Sequence, residues 1–356
     1  MKYHIRYGIY VYYVMLKYRP WVLQGFLEVR KVQSTKLGTF LVTIPKEWVS
    51  QMGLTKGGHV SLQLEGTDVV VSSVNKRPST QSRPLDIDKV RDRRMLELSI
   101  GSSYIQGHDI TEVVSKGKIL PEQKRWIREA VVNLVGVEVA EEYSNRVVLQ
   151  YLVDPRMFDL DQTMKKFSDL SVAVLRDAVN GLAAGDKVLA QDAFERGYQS
   201  TKLYRLLLRL SLQFLRNRKL RDEMKVYAVD DIVMRMMAIK DLGRTAYYSY
   251  RTAQHATEIE DSVDLSAIRA VKKMAATTAN MQEQAFDGFI KQDVNMASSV
   301  IDQMDEVRKL YKDLHGLSTR GGAVDSLPFR LIVRDIRGIA GYAVALADDA
   351  VLASFG

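Results

Sequence analysis

Not one of the 356 residues is cysteine. That excludes disulfides, thiolate metal ligands and cysteine nucleophiles, and it fits the reducing interior of a cytoplasmic protein. Long apolar runs are missing too. The stretch from Tyr7 to Leu16 stays apolar for about ten residues before Lys17-Tyr18-Arg19-Pro20 breaks it, which is half a membrane span. It also lacks the small-residue cleavage site of a signal peptide. Residues 1 to 27 therefore read as a poorly ordered extension, and no stable membrane insertion is expected. Catalytic signatures are absent as well: there is no nucleophile elbow, no glycine-rich phosphate loop ahead of a helix and no metal motif. An enzyme is not expected.

What charge there is lies at one end. The net charge is +8, yet residues 1 to 94 hold sixteen Lys or Arg against seven Asp or Glu, and the remainder is close to neutral. Polyanion-seeking charge is thus N-terminal. Residues 28 to 75 contribute only +1 of it, and the flanks 1–27 and 76–94 contribute +4 each.

Residues 28 to 75 form one compact pattern. Val29 and Val32 bracket Arg30-Lys31 in a first strand, and a turn at Leu37-Gly38 leads into the β-branched and apolar run Phe40 to Ile44. Pro45 stops that strand and presets a helix, on which Trp48, Val49 and Met52 share a face. Gly53 is placed as a left-handed cap, followed by Leu54. After Lys56-Gly57-Gly58, Val60–Leu64 and Val69–Ser73 read as a hairpin. About fifty such residues bury too little surface to stand alone, so a homodimer is expected. The run Leu-Gly…Ile-Pro-Lys-Glu-Trp…Gly-Leu…Gly-Gly…Val resembles the SpoVT/AbrB swapped-hairpin DNA-binding domains. That resemblance implies basic contacts to DNA from the first strand and its loop. Arg30, Lys31, Lys36 and Lys46 are the candidate DNA-binding residues, with Arg30 best suited to base readout because its planar fork can grip guanine.

Residues 76 to 90 are polar, contain two of the seven prolines and read as a linker. Residues 91 to 155 read as a small α/β domain. Its expected elements are strands at Met95–Ile100 and Asp109–Val114, a helix from Pro121 to about Leu134, and a hairpin of Val137–Ala140 with Arg146–Leu152.

From residue 156 the pattern is helical and repeats. A shift of 107 residues superposes Lys165-Lys166 on Lys272-Lys273, Gly181 on Gly288, Asp186 on Asp293 and Lys202-Leu203-Tyr204 on Lys309-Leu310-Tyr311. A third helix aligns at a shift of 87, with Ala253 on Ala340 and Asp261 on Asp348. Two three-helix bundles, 156–263 and 264–356, follow from this. With Arg251-Thr252-Ala253-Gln254-His255-Ala256 and Ile339-Ala340-Gly341-Tyr342-Ala343, the repeats resemble the PhoU family of phosphate-uptake regulators. An AbrB-like unit joined to a PhoU-like half looks like an arrangement found in archaea. PhoU relatives often bind metal through acidic positions, which here read Thr201, Gln254, Arg308 and Gly341. Hydroxyl, amide, guanidinium and glycine do not replace carboxylates around a hard cation. No metal and no cofactor are therefore expected, and pairs such as His255 with Glu258 or Asp302 with Glu306 read as solvated or packed.

The expected fold is α+β and multidomain: an N-terminal swapped-hairpin β unit, a small α/β spacer and C-terminal all-α tandem three-helix bundles. The resemblances imply a cytoplasmic, dimeric, DNA-binding regulator of phosphate homeostasis. A second reading makes it an adaptor that docks on a phosphate transporter or signalling protein, with residues 28 to 75 only dimerising it.

Overall fold

The computed structural model describes residues 28–65, 67–73, 82–224, 228–260, 263–317 and 323–355. Two compact units divide the chain, Met1–Ser79 and Thr80–Gly356. The expected extension 1–27 lies outside the described residues.

In the first unit, β1 (Gln33–Ser34) pairs antiparallel with β2 (Phe40–Leu41) across a turn in which Gly38 takes φ +82°. Both strands are shorter than the sequence suggests. Residues 28–32 and 42–45 carry no ladder, so Val29 and Val32 are not strand residues. Helix α1 (Lys46–Gln51) begins after Pro45. It ends as expected at a left-handed Gly53 (φ +66°), where Leu54 N–H donates to Val49 O at 3.0 Å. Strands β3 (Val60–Glu65) and β4 (Asp68–Ser73) form a regular antiparallel hairpin, with Leu62 opposite Val71 and Leu64 opposite Val69.

The second unit opens on a four-stranded sheet. Its strands are β5 (Ser82–Asp86), β6 (Ile110–Val114), β7 (Val137–Glu142) and β8 (Arg146–Tyr151), in the order β5-β6-β8-β7, with β5 parallel to β6 and the other pairs antiparallel. Two expectations fail here. The linker 76–90 does not extend through Ser82–Asp86, which is the sheet's edge strand. Pro84 is tolerated there because an edge strand leaves one row of N–H positions unused. Met95–Ile100 is no strand: it lies inside helix α2 (Arg93–Ile105), which Asp92 caps by accepting from Met95 N–H at 2.8 Å. Leu96, Ile100 and Tyr104, four residues apart, are the buried face, and that helical period overrides the apolar content read as β. Helix α3 (Pro121–Val132) joins α2 over Val113, Val147, Leu149 and Tyr151.

Among the described residues seven further α-helices follow: α4 (Leu160–Ala184), α5 (Lys187–Arg216), the short α6 (Arg218–Met224), α7 (Val229–Thr257), α8 (Leu265–Lys291), α9 (Val294–Leu317) and α10 (Leu327–Ala353). They build two three-helix sets, α4-α5-α7 and α8-α9-α10, that share one continuous core. The repeat is visible in the turns. Asp186 and Asp293 cap α5 and α9 through N–H groups two and three residues on. Gly181 lies where an added Cβ would come within 2.9 Å of Ala190 N, and Gly288 holds the matching place in the second set. The fold is thus α+β, with small N-terminal sheets and a C-terminal helical bundle.

Three arginines of α5 fasten the bundle to the sheet segment. Arg209 Nη1 donates to Tyr104 O (2.6 Å) and His108 O (2.9 Å), Arg216 to Gln106 O (2.9 Å), and Arg205 to Asn133 O (3.2 Å). These carbonyls close the C-terminal ends of α2 and α3, where the helix leaves acceptors without partners and favours positive charge. Arg209 is fully buried, with its guanidinium over the rings of Tyr104 and Tyr151 at 4.9 and 5.4 Å. Burial pulls its pKa below the usual arginine value.

Candidate functional site

The four basic residues expected on DNA sit on the surface of the first unit. Arg30 and Lys31 precede β1, Lys36 lies in the β1–β2 turn, and Lys46 opens α1. The structure does not gather them into a cluster through any shared partner. Arg30, the expected base reader, donates to Glu28 Oε1 at 2.5 Å. Among the described residues no ion pair holds Lys31, Lys36 or Lys46. The surroundings are unusual for a folded unit: none of the described residues of 28–73 is buried. Leu37 is 95 % exposed, and Val29, Phe40, Leu62, Leu64 and Val69 stand largely in solvent. Contiguous exposed apolar surface of this kind is uncommon on a small folded unit.

In the second unit, polar chemistry concentrates on the seam between α7 and α10, which run antiparallel. Three facing pairs are seven residues apart along each helix: Asp241 with Asp349, Tyr248 with Tyr342 (ring centroids 5.9 Å apart), and His255 with Asp335 (Nε2 to Oδ2, 3.7 Å). Asp349 is 7 % exposed and its Oδ2 meets no partner. Burial, reinforced by the charges of Asp241 and Asp348, pushes its pKa up to about 6. Burial also raises Asp241, against the pull of Lys240 and Arg244. Asp335 is fully buried and likewise raised, although Arg334 donates to its Oδ1 at 2.9 and 2.6 Å. His255 is held on one side by Glu258 (3.0 Å) and on the other by Arg251 (3.1 Å). Burial in the seam thus raises all three aspartates above the ordinary carboxylate value, Asp349 to about 6.

Three of the four positions read as departures from an acidic pattern are engaged in other bonds. Thr201 donates to Tyr198 O, Gln254 bridges Arg251 and Glu258, Arg308 pairs with Asp305 at 2.8 Å, and Gly341 faces open space. His255 and Glu258 do meet, but the histidine is packed in the core. Glu306 turns from Asp302 to Lys273, 2.8 Å away. No group of three His, Asp or Glu is arranged to hold a metal ion among the described residues, and no described helix is long and apolar enough to cross a membrane. Sequence reasoning missed Asp335, Asp349 and Arg209. Their one trace is a charged residue inside an apolar helical run, as in Ala345-Leu346-Ala347-Asp348-Asp349-Ala350.

These features define a tandem three-helix body carrying a titratable seam. Residues 271–350, from α8 into α10, match the PhoU domain family. No curated protein matched the chain. Among solved structures, PhoU from Pseudomonas aeruginosa is 21 % identical with a TM-score of 0.49, over 55 % of this chain and 95 % of that one. The phosphate transport system regulatory protein PhoU from Streptococcus pneumoniae is 16 % identical with a TM-score of 0.46, over 54 % of this chain and 91 % of that one. The resemblance of residues 28 to 75 to swapped-hairpin domains found no support in these comparisons.

Proposed function

We propose that this chain is a DNA-binding transcriptional regulator of phosphate uptake and homeostasis. It acts as a dimer through residues 28–75, with the helical half as a sensing or partner-docking body. What carries the reading is the state of the first unit, whose described residues hold no core and expose Leu37, Phe40, Leu62 and Leu64. A second copy supplies such a unit with its interior. Lys31, Lys36 and Lys46 then remain outside, free for a polyanion. The PhoU match over 271–350 supports the phosphate side of the reading. A second reading, an adaptor that docks on a phosphate transporter or signalling protein, is favoured by the Arg30–Glu28 pair and by the unit's net charge of +1.

Light scattering gives the mass of the full-length protein, and fluorescence anisotropy on promoter duplexes of phosphate-uptake genes gives its DNA affinity against salt. A dimer that binds with a log–log salt slope near minus five, about six phosphate contacts, fits the first reading. A dimer indifferent to DNA at physiological salt leaves the adaptor. A monomer refutes the shared core.

A further inference from the structure

Between its contacts with α5 and α10, helix α7 leaves one stripe to solvent. Val229, Val233, Met237, Lys240, Arg244, Tyr247 and Arg251 follow one another along it every three or four residues, the spacing at which one helix presents a seam to another. The stripe is apolar over its first three members. From Lys240 onward it is cationic and aromatic, with Tyr247 49 % exposed. Neither Lys240 nor Arg244 has a hydrogen bond or ion pair among the described residues. Asp241, half-buried in the seam behind them, is a carboxylate whose charge both of them feel.

The tyrosine is braced from beneath. Tyr247 lies against Tyr248 and Tyr250 at 5.4 and 6.5 Å, Tyr250 stacks on Phe194 of α5 at 5.1 Å, and Tyr248 stacks on Tyr342 of α10. Glycines make room for these rings. A Cβ at Gly197 would come within 3.1 Å of Tyr250, and one at Gly338 within 3.4 Å of the Tyr248 ring. Half-exposed tyrosine on a rigid backing, beside unpaired cations, has the composition of the energetic centre of a protein interface.

We propose that this stripe is the docking strip for an acidic amphipathic helix of a partner protein. The helix would lay apolar side chains over Val229 to Met237 and Asp or Glu over Lys240 and Arg244. This rests on the reading that the helical half docks a partner, and it adds where and to what chemistry. A second copy of α7 fits in neither direction. Parallel pairing sets like charges against each other, and antiparallel pairing about the middle of the stripe sets Lys240 against its own copy and lays Arg244 over Met237, leaving only Arg251 near carboxylates, Asp230 and Asp231.

The test uses the full-length protein and a synthetic helical peptide with leucines facing the apolar turns and glutamates facing the cations. The same peptide with lysines for glutamates is the control. The wild type binds the acidic peptide. Lys240→Glu with Arg244→Glu weakens that by roughly tenfold or more and gains binding of the lysine peptide, a result that misfolding does not produce. Equal binding of the acidic peptide by wild type and variant, or none by either, overturns the proposal. So does charge-dependent binding of anionic-lipid vesicles without peptide binding, which would assign the stripe to a membrane. In cells, a photo-crosslinking residue at position 247 should join an acidic helical segment, and Arg244→Glu should abolish the adduct. Adducts from position 265 on α8 with none from 247 would discard this site and keep the docking reading. Adducts from neither would discard both.

Discussion

Replacing Asp349 by asparagine should stabilise this protein above pH 6 and do little below pH 4. The carboxyl is 7 % exposed, its Oδ2 is unpartnered, and Asp241 and Asp348 add repulsion. Together they lift its pKa from 3.8 to about 6. A shift of about two units is worth roughly 3 kcal/mol between the protonated and ionised forms. Between the two values the folded chain keeps a proton that the unfolded chain has lost. The favourable contribution is thus complete below about pH 4 and is lost as pH rises through 6. At pH 8 the wild type carries the full cost of an ionised buried group, and an asparagine of the same shape does not. Some of that relief goes to reorganising the amide, so a gain of about 1–3 kcal/mol is expected, a few degrees in Tm for a unit of this size. Carboxylates such as Glu142 and Glu306, lowered by Lys124 and Lys273 beside them, slope the whole curve the other way. The informative quantity is therefore the difference between variant and wild type, from urea unfolding at pH 4.5, 6, 7 and 8. Asp241→Asn should overlap with it rather than add, since each removes the same repulsion. A variant less stable than wild type at pH 8, or a gain that is the same at pH 4.5, would refute the reasoning.

Three further outcomes are expected. Lys31→Ala and Lys36→Ala should each lower the salt slope of DNA binding by about two per dimer without changing the dimer's mass, whereas Glu28→Gln should free Arg30 and tighten binding; titration by anisotropy measures both. Gln292→Gly should stabilise by about 0.5–1 kcal/mol in chemical unfolding, because Gln292 caps α8 at φ +53° where the equivalent first-repeat residue is Gly185. Arg209→Met should cost roughly 3 kcal/mol or more, since it strands the carbonyls of Tyr104 and His108, and hydrogen exchange should quicken at the end of α2.

What the sequence disclosed was local code, and what it concealed was long-range. Asp186 and Asp293 cap helices by bonding two and three residues ahead, and Gly53 and Gly185 adopt left-handed caps, so turns and repeat were readable from neighbours alone. Ser82–Asp86 becomes a strand only by pairing with Ile110–Val114, about thirty residues on, and nothing in its polar, proline-bearing composition foretells that. Met95–Ile100 read as β because its apolar content is ambiguous over six residues; Tyr104, one turn further, settles the period. The burial of Asp335 and Asp349 exists only once α7 lies against α10. Arg30 was a sound choice for DNA by its chemistry, and its engagement by Glu28 depends on a backbone path that five residues do not specify.

One contact between the repeats says something about their descent. Arg176 of α4 grips Glu283 of α8 through two bonds, 2.8 and 2.9 Å long, and the two residues are 107 positions apart, the same shift that superposes the repeats. They are thus the same repeat position seen twice, the two copies facing each other. In a symmetric pair of single repeats that position would face its own copy, guanidinium against guanidinium or carboxylate against carboxylate. Opposite signs could settle there only after both copies were written into one gene and free to diverge. Having diverged, the two halves carry opposite charges at that position, and pairing either half with a duplicate of itself would set like charges together there.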